Sequence, residues 1–146
     1  MPNAENRTAI ITGAGSGIGR AIALAFAGEG LNLVLAGRRP EPLQKTATAA
    51  VDLGAKAITV HADVTDRESV KNLCKSALAE FGGIDILVNN AGINTVNRNL
   101  KDITDQDWDR VININLTGAF NMFRGVIRQM EDQGDGLVIN ISSMAG

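Results

Sequence analysis

Short apolar runs alternate with amphipathic stretches along this chain from one end to the other. Thr8-Ala9-Ile10-Ile11-Thr12 and residues 31–36, 57–60, 84–88 and 137–141 are rich in β-formers and bounded by turn residues, which predicts buried strands. Between them, residues 18–29 and 41–53 predict helices that stop at Gly30 and Gly54. Thr65 and Glu68 have capping-box spacing and open a third helix that ends at Gly82-Gly83. Thr104-Asp105-Gln106-Asp107 caps a long fourth helix through Trp108, Val111, Ile112, Leu116, Phe120, Phe123 and Ile127. Five strands separated by four helices require a crossover at every connection. The expectation is an α/β fold with a doubly wound parallel sheet, helices on both faces. No internal repeat, low-complexity stretch or linker interrupts residues 1–146, so one domain is expected.

Composition narrows the function classes. A chain of 146 residues suits one domain that buries about two-thirds of its unfolded surface. A net charge of −2 argues against nucleic acid or an acidic membrane as partner. A single cysteine excludes an internal disulfide framework and points to a reducing, cytoplasmic compartment. No segment reaches the ~20 apolar residues of a membrane span, and residues 1–7 carry no signal-peptide core. No metal-ligand spacing occurs. His61 takes no role, and Cys74 reads as a small hydrophobe.

Between the first strand and helix lies Thr12-Gly13-Ala14-Gly15-Ser16-Gly17-Ile18-Gly19-Arg20. A strand-to-helix turn presents free N–H groups at the positive end of a helix dipole, where a pyrophosphate fits, and glycine leaves no Cβ in its way. The strict G-x-G-x-x-G pattern fails at Ile18; T-G-x-x-x-G-x-G fits through Thr12, Gly13, Gly17 and Gly19. No Lys-Ser/Thr follows, which argues against a P-loop. Dinucleotide folds place an acid at the end of the second strand for a ribose hydroxyl, or an arginine for a 2′-phosphate. Here that strand ends Ala36-Gly37-Arg38-Arg39, with no carboxylate at the tip. Arg38 and Arg39 therefore point to NADP as the preferred cofactor and NAD as the alternative, Arg38 being nearer the strand. The competing reading is two solvated loop arginines.

Taken with Asp63-Val64-Thr65, Asp85-Ile86-Leu87-Val88-Asn89-Asn90-Ala91-Gly92, Trp108, Asn113-Ile114-Asn115-Leu116-Thr117-Gly118 and Ile141-Ser142-Ser143, the glycine loop resembles the short-chain dehydrogenase/reductase family. The pieces stand in the family's order and cover nearly the whole chain. The resemblance implies a Rossmann-like sheet with Gly13, Ser16, Gly17, Ile18 and Gly19 at the cofactor. It places Asp63 at the adenine amino group, Val64 in the adenine pocket, and Asn90, Ala91 and Gly92 beside the cofactor ribose. Asn115 matches the family's catalytic asparagine and Ser143 its catalytic serine. The residues alone leave open that Asp63 caps the next helix, that Asn89-Asn90 is only a turn, and that Ser143 is an ordinary strand-end serine. Of Asn113, Asn115 and Asn121 on the long helix, two read as surface. One facing the sheet would be a buried amide, suited to holding a relay water.

The family's reaction, by resemblance, is hydride transfer between a nicotinamide and a carbonyl or alcohol, with a tyrosine as acid/base and a lysine one helical turn on lowering its pKa. This sequence contains no tyrosine, and its last lysine is Lys101. The Tyr-x-x-x-Lys helix is expected a short way beyond residue 146, so the chain matches somewhat more than the first half of such an enzyme. It is expected to hold cofactor without turnover. An open edge on the fifth strand and uncovered apolar helix surface are expected, and with them marginal stability or aggregation. A full-length form is expected as a homodimer or homotetramer acting on a small-molecule carbonyl or alcohol. A 3-oxoacyl thioester, a polyol, a steroid-like alcohol and a small ketone all remain open as substrates. The alternative is a non-catalytic dinucleotide-binding or regulatory partner protein.

Overall fold

The computed structural model describes residues 6–143. Five strands, β1 (Thr8–Thr12), β2 (Asn32–Gly37), β3 (Ala57–His61), β4 (Ile86–Asn89) and β5 (Leu137–Asn140), form one sheet in the order β3-β2-β1-β4-β5. Every pairing is parallel. β1 and β4 are buried at every position, as strands in the middle of a sheet covered on both faces are.

Helices α1 (Gly17–Gly28) and α2 (Pro40–Asp52) cover one face. Ile11, Leu33, Leu35 and Val88 point towards them. Helix α3 (Arg67–Phe81) and the long helical segment that follows β4 cover the other, over Ile10, Val34 and Leu87. The chain winds outward from β1 to β3, then returns across to β4 on the opposite face. A crevice opens at the carboxyl ends of β1 and β4, where the winding reverses.

The structure corrects three details and decides a fourth. The cap of α3 is Asp66, whose carboxylate accepts from the Glu68 N–H at 3.2 Å. Thr65, the expected cap, instead donates its hydroxyl to Asp63. The fourth strand starts at Ile86, because Gln133 holds the Ile84 backbone on both sides, at 3.2 and 3.1 Å. The long helix starts as expected, with Thr104 accepting from the Asp107 N–H at 3.1 Å. It is not one α-helix, however: α4 (Asp105–Ile112) passes through a π-helical turn (Asn113–Thr117) into α5 (Gly118–Gln133). Of the three asparagines left open by the sequence, the buried one is Asn121. It donates to the Val64 carbonyl at 3.0 Å, which pairs its amide nitrogen.

Cys74 lies in α3 against α5, 7% exposed, and burial pushes its thiol up to about 11. At pH 8 its thiolate fraction should be about a hundredfold below that of a thiol near 9. A disulfide reagent should therefore label the folded chain at least that much more slowly than the urea-unfolded chain. Labelling at equal rates would contradict the buried placement.

β5 has β4 as its single neighbour, so its outer edge is unpaired among the described residues. Beside it Leu116, Phe120, Phe123 and Ile141 are exposed. The expected open edge and uncovered apolar surface are both present. Among the described residues no helix is long and apolar enough to cross a membrane.

Candidate dinucleotide site

The crevice holds a cavity of about 570 Å³ at the carboxyl end of the sheet. Its floor is the β1–α1 turn. Gly13 and Gly17 adopt φ values of +64° and +54°, which L side chains rarely tolerate. Nothing stands within 4 Å of where a Gly17 side chain would begin, so the first turn of α1 is left open to an approaching group. Gly19 serves a different need. A Cβ there would run into the Gly13 carbonyl oxygen and come within 2.5 Å of Asn90 Nδ2, so glycine lets α1 close onto the turn.

The turn is tied to β4 by a small polar network. Thr12 Oγ1 accepts from the N–H groups of Asn90 (3.0 Å) and Ala91 (2.9 Å) and donates to the Val88 carbonyl (3.3 Å). Asn90 Nδ2 donates to the carbonyls of Thr12 (3.0 Å) and Gly13 (3.3 Å). Asn89-Asn90 is thus more than a turn, since Asn90 locks the end of β4 onto the glycine loop.

One end of the cavity is basic. Arg38 and Arg39 follow Gly37 at the tip of β2 and line the cavity together with the glycine loop. Arg39 Nη2 donates to Ser16 Oγ at 3.4 Å, a long contact that brings its guanidinium over the loop. Arg38 and Arg39 both line the cavity, and Arg39 is the one that touches the glycine loop.

Asp63 and Val64 form the facing wall. Asp63 Oδ1 accepts from Thr65 Oγ1 (2.7 Å) and from the Thr65 N–H (2.9 Å). These bonds, first the hydroxyl and then the amide, with a smaller contribution from the Arg38 charge, hold the carboxyl below its ordinary value. Asp63 therefore stays ionised at neutral pH. Its carboxylate does not cap α3; that position belongs to Asp66.

Of the residues singled out in the sequence, Gly13, Ser16, Ile18, Arg38, Arg39, Asp63, Val64, Asn90, Ala91 and Gly92 line this one cavity. Gly17 opens α1 beside it and Gly19 packs behind the turn. Asn115 lies in the π-helical turn and borders the adjoining groove. Its amide is engaged at both ends by one backbone unit: Nδ2 donates to the Ile93 carbonyl (2.8 Å) and Oδ1 accepts from the Ile93 N–H (2.9 Å). Asn115 thereby anchors the start of the long loop that follows Gly92. Ser143 follows β5 at the same edge of the sheet, three residues beyond Asn140. Pro42, Leu43, Ala62 and Ile114 also line the cavity and were not singled out. Ala62 could have been found as the neighbour of Asp63. Pro42 and Leu43 reach the cavity from the first turn of α2, which no local pattern announces. His61, on β3, pairs in register with Gly37 of β2 and is exposed. No group of three or more potential metal ligands occurs among the described residues.

A family model described as short chain dehydrogenase matches residues 7–146. Among curated proteins, the chain is 39% identical over 142 residues to a 3-oxoacyl-(acyl-carrier-protein) reductase FabG of Thermotoga maritima, covering 97% of this chain and 57% of that protein. It is 40% identical over 147 residues to the protein of the same name from Staphylococcus epidermidis, covering 97% and 58%. The chain thus spans somewhat more than half the length of these relatives. Among solved structures it is similar to an NAD+-bound xylitol dehydrogenase, with TM-score 0.94 and 38% identity, covering 97% of this chain and 55% of that one. It is also similar to a metagenomic short-chain oxidoreductase in complex with NADP, with TM-score 0.91 and 31% identity, covering 97% and 64%.

Proposed function

Because the chain belongs to the short-chain dehydrogenase family, we propose that its cavity binds a nicotinamide dinucleotide, NADP in preference to NAD, within an oxidoreductase. The observation that carries this reading is the cavity itself. It joins an open glycine turn at a helix N-terminus, two arginines at the tip of β2, and an ionised aspartate.

The residues fit the cofactor in three places. The N–H groups at the start of α1, with Ser16, suit the pyrophosphate. Arg39, steered by Ser16, and Arg38 suit a ribose 2′-phosphate, for which their forked donors are well shaped. Asp63 offers an acceptor to an adenine amino group while Thr65 fixes its orientation, and Val64 lines the ring pocket. Asn90, Ala91 and Gly92 present backbone where a ribose would pass. When bound, the dinucleotide supplies or accepts a hydride at a carbonyl or alcohol carbon. Ser143 is assigned to the substrate oxygen. Asn115 positions the loop beginning at Ile93, through which the substrate side of the cavity is shaped.

For the substrate class, the two curated relatives favour a 3-oxoacyl thioester, with other small carbonyls or alcohols as alternatives. No side chain in this sequence is a phenol, so the 146-residue chain should bind without turning over. Calorimetric titration of the chain with NADPH and NADH should show NADPH binding at least about tenfold more tightly, since one retained charged hydrogen bond is worth that much. Absorbance at the reduced nicotinamide band should then stay constant when a 3-oxoacyl thioester is added. Equal affinities would remove the arginine assignment. Measurable reduction would overturn the requirement for tyrosine.

A further inference from the structure

The wall that carries Asp63 is held from behind by two helices. Ser69, in the first turn of α3, accepts from the Asp63 N–H at 2.9 Å through Oγ, which pins the aspartate's own backbone. Asn121, in α5, donates from Nδ2 to the Val64 carbonyl at 3.0 Å. Asn121 is 5% exposed and reaches across 57 positions of sequence to make this bond. Gly118, the first residue of α5, lets the helix come that close, since a Cβ there would stand 2.5 Å from Val64 Cγ2.

The Val64 carbonyl and the Thr65 N–H belong to one peptide unit. No peptide bond among the described residues is cis. A planar trans unit points its C=O and its N–H in opposite directions. Asn121 holds the carbonyl end, and the N–H end donates to Asp63 Oδ1 at 2.9 Å. A single rigid plane therefore links the buried amide of α5 to the carboxylate on the cavity wall. Tilting that plane swings the N–H off the carboxylate, and a hydrogen bond weakens steeply as it leaves linearity. The bond is charge-assisted, because Asp63 is ionised, and it is one of the two that hold the carboxyl below its ordinary value. Without the Asn121 donor, the Val64 carbonyl loses its buried partner. Its simplest relief is to rotate towards water, which takes the Thr65 N–H away from Asp63.

We propose that Asn121 is a positioning residue for adenine recognition: through the Val64–Thr65 peptide it fixes the angle at which the Asp63 carboxylate faces the base. The role rests on the assignment of Asp63 to the adenine amino group. Ser69 supports the same carboxylate from the other side by fixing the backbone that bears it.

The test compares NADPH with its analogue in which hypoxanthine replaces adenine. The analogue presents a carbonyl oxygen where adenine has its amino group, and its phosphates, riboses and nicotinamide are the same. Contributions from the arginines and the glycine loop therefore cancel in the ratio of the two affinities. By calorimetry the 146-residue chain should bind NADPH at least about tenfold more tightly than the analogue, the worth of one hydrogen bond to a charged acceptor. In Asn121→Leu that ratio should fall to within about threefold, because a misaligned bond keeps only part of its worth. An unchanged ratio, with both affinities reduced alike, would overturn the proposal and leave Asn121 a plain tie between layers. If the unsubstituted chain binds both ligands equally, the assignment of Asp63 falls and this role falls with it. If it binds neither, the dinucleotide reading itself falls, and both assignments with it. Should Asn121→Leu not fold, the unsubstituted chain still decides. Its Asn121 side-chain amide resonances should shift with pH at the same midpoint as the Asp63 carboxyl carbon, because protonating the carboxyl loosens the peptide between them. Asn121 resonances that do not follow Asp63 would overturn the link.

Discussion

Replacing Arg38 and Arg39 together by alanine should weaken NADPH binding about a hundredfold and leave NADH binding within about twofold. Two charged hydrogen bonds to a phosphate, each contributing about 1.5–3 kcal/mol, exceed the 2.7 kcal/mol that a hundredfold represents. The surplus is discounted because both side chains are exposed and screened by salt. The single changes discriminate further. Arg39 touches Ser16 and Arg38 does not, so Arg39→Ala should account for the larger share. Ser16→Ala should then reproduce a fraction of the Arg39 effect by freeing the guanidinium. Calorimetry in matched buffers at two salt concentrations measures all four variants. An equal loss for NADH would show that the arginines support the turn and not the 2′-phosphate.

Gly19→Ala should destabilise the chain by about 2 kcal/mol and abolish dinucleotide binding. Two effects oppose each other. Alanine is the better helix former by about 1 kcal/mol at an interior position. Against this, the new methyl meets the Gly13 carbonyl oxygen and Asn90 Nδ2, and overpacking of this kind costs about 1–3 kcal/mol or more. The steric cost wins because the obstacle is backbone at the β1–α1 turn, plus a side chain already bonded to the Thr12 and Gly13 carbonyls. Neither can move without opening the network that shapes the site. Gly28→Ala is the control. It lies in the same helix with nothing within 4 Å of the added carbon, so the propensity gain should stand alone. Urea midpoints compare the two, and matching midpoints would contradict the close approach at Gly19.

The strands were legible because a strand buried on both faces is apolar through its middle, and any polar residue at its ends needs a hydrogen-bond partner. Thr8–Thr12 is buried throughout, with Ala9, Ile10 and Ile11 apolar between two threonines. The glycine loop was legible for a related reason: positive φ and close approach are needs that glycine alone meets cheaply, so Gly13, Gly17 and Gly19 stand out in a bare sequence. The cap of α3 was misread because Thr65 and Asp66 are both good caps one residue apart. The choice fell to Asp66 once Asp63 had engaged Thr65 from outside the helix. The asparagines were the hardest. Three on one helix look alike in sequence, and a π-helical turn between Asn113 and Thr117 rotates the register that any α-helical wheel would assume.

Local chemistry, read residue by residue, was enough for the parallel α/β sheet, for the turn that can face a phosphate, and for the missing phenol. Each depends on a residue's own conformational and chemical properties, or on a period of two to four residues. The assembled structure alone decided that Asn121 is the buried amide, that Asn115 clasps Ile93, that Arg39 turns towards Ser16, and that Asn89 pairs with Asn140. Those partners lie tens of residues apart, and Asn90 meets Thr12 across 78 positions. Which polar atoms end up buried together is a property of how the layers pack, and no stretch of sequence short enough to read locally contains both halves of such a pair.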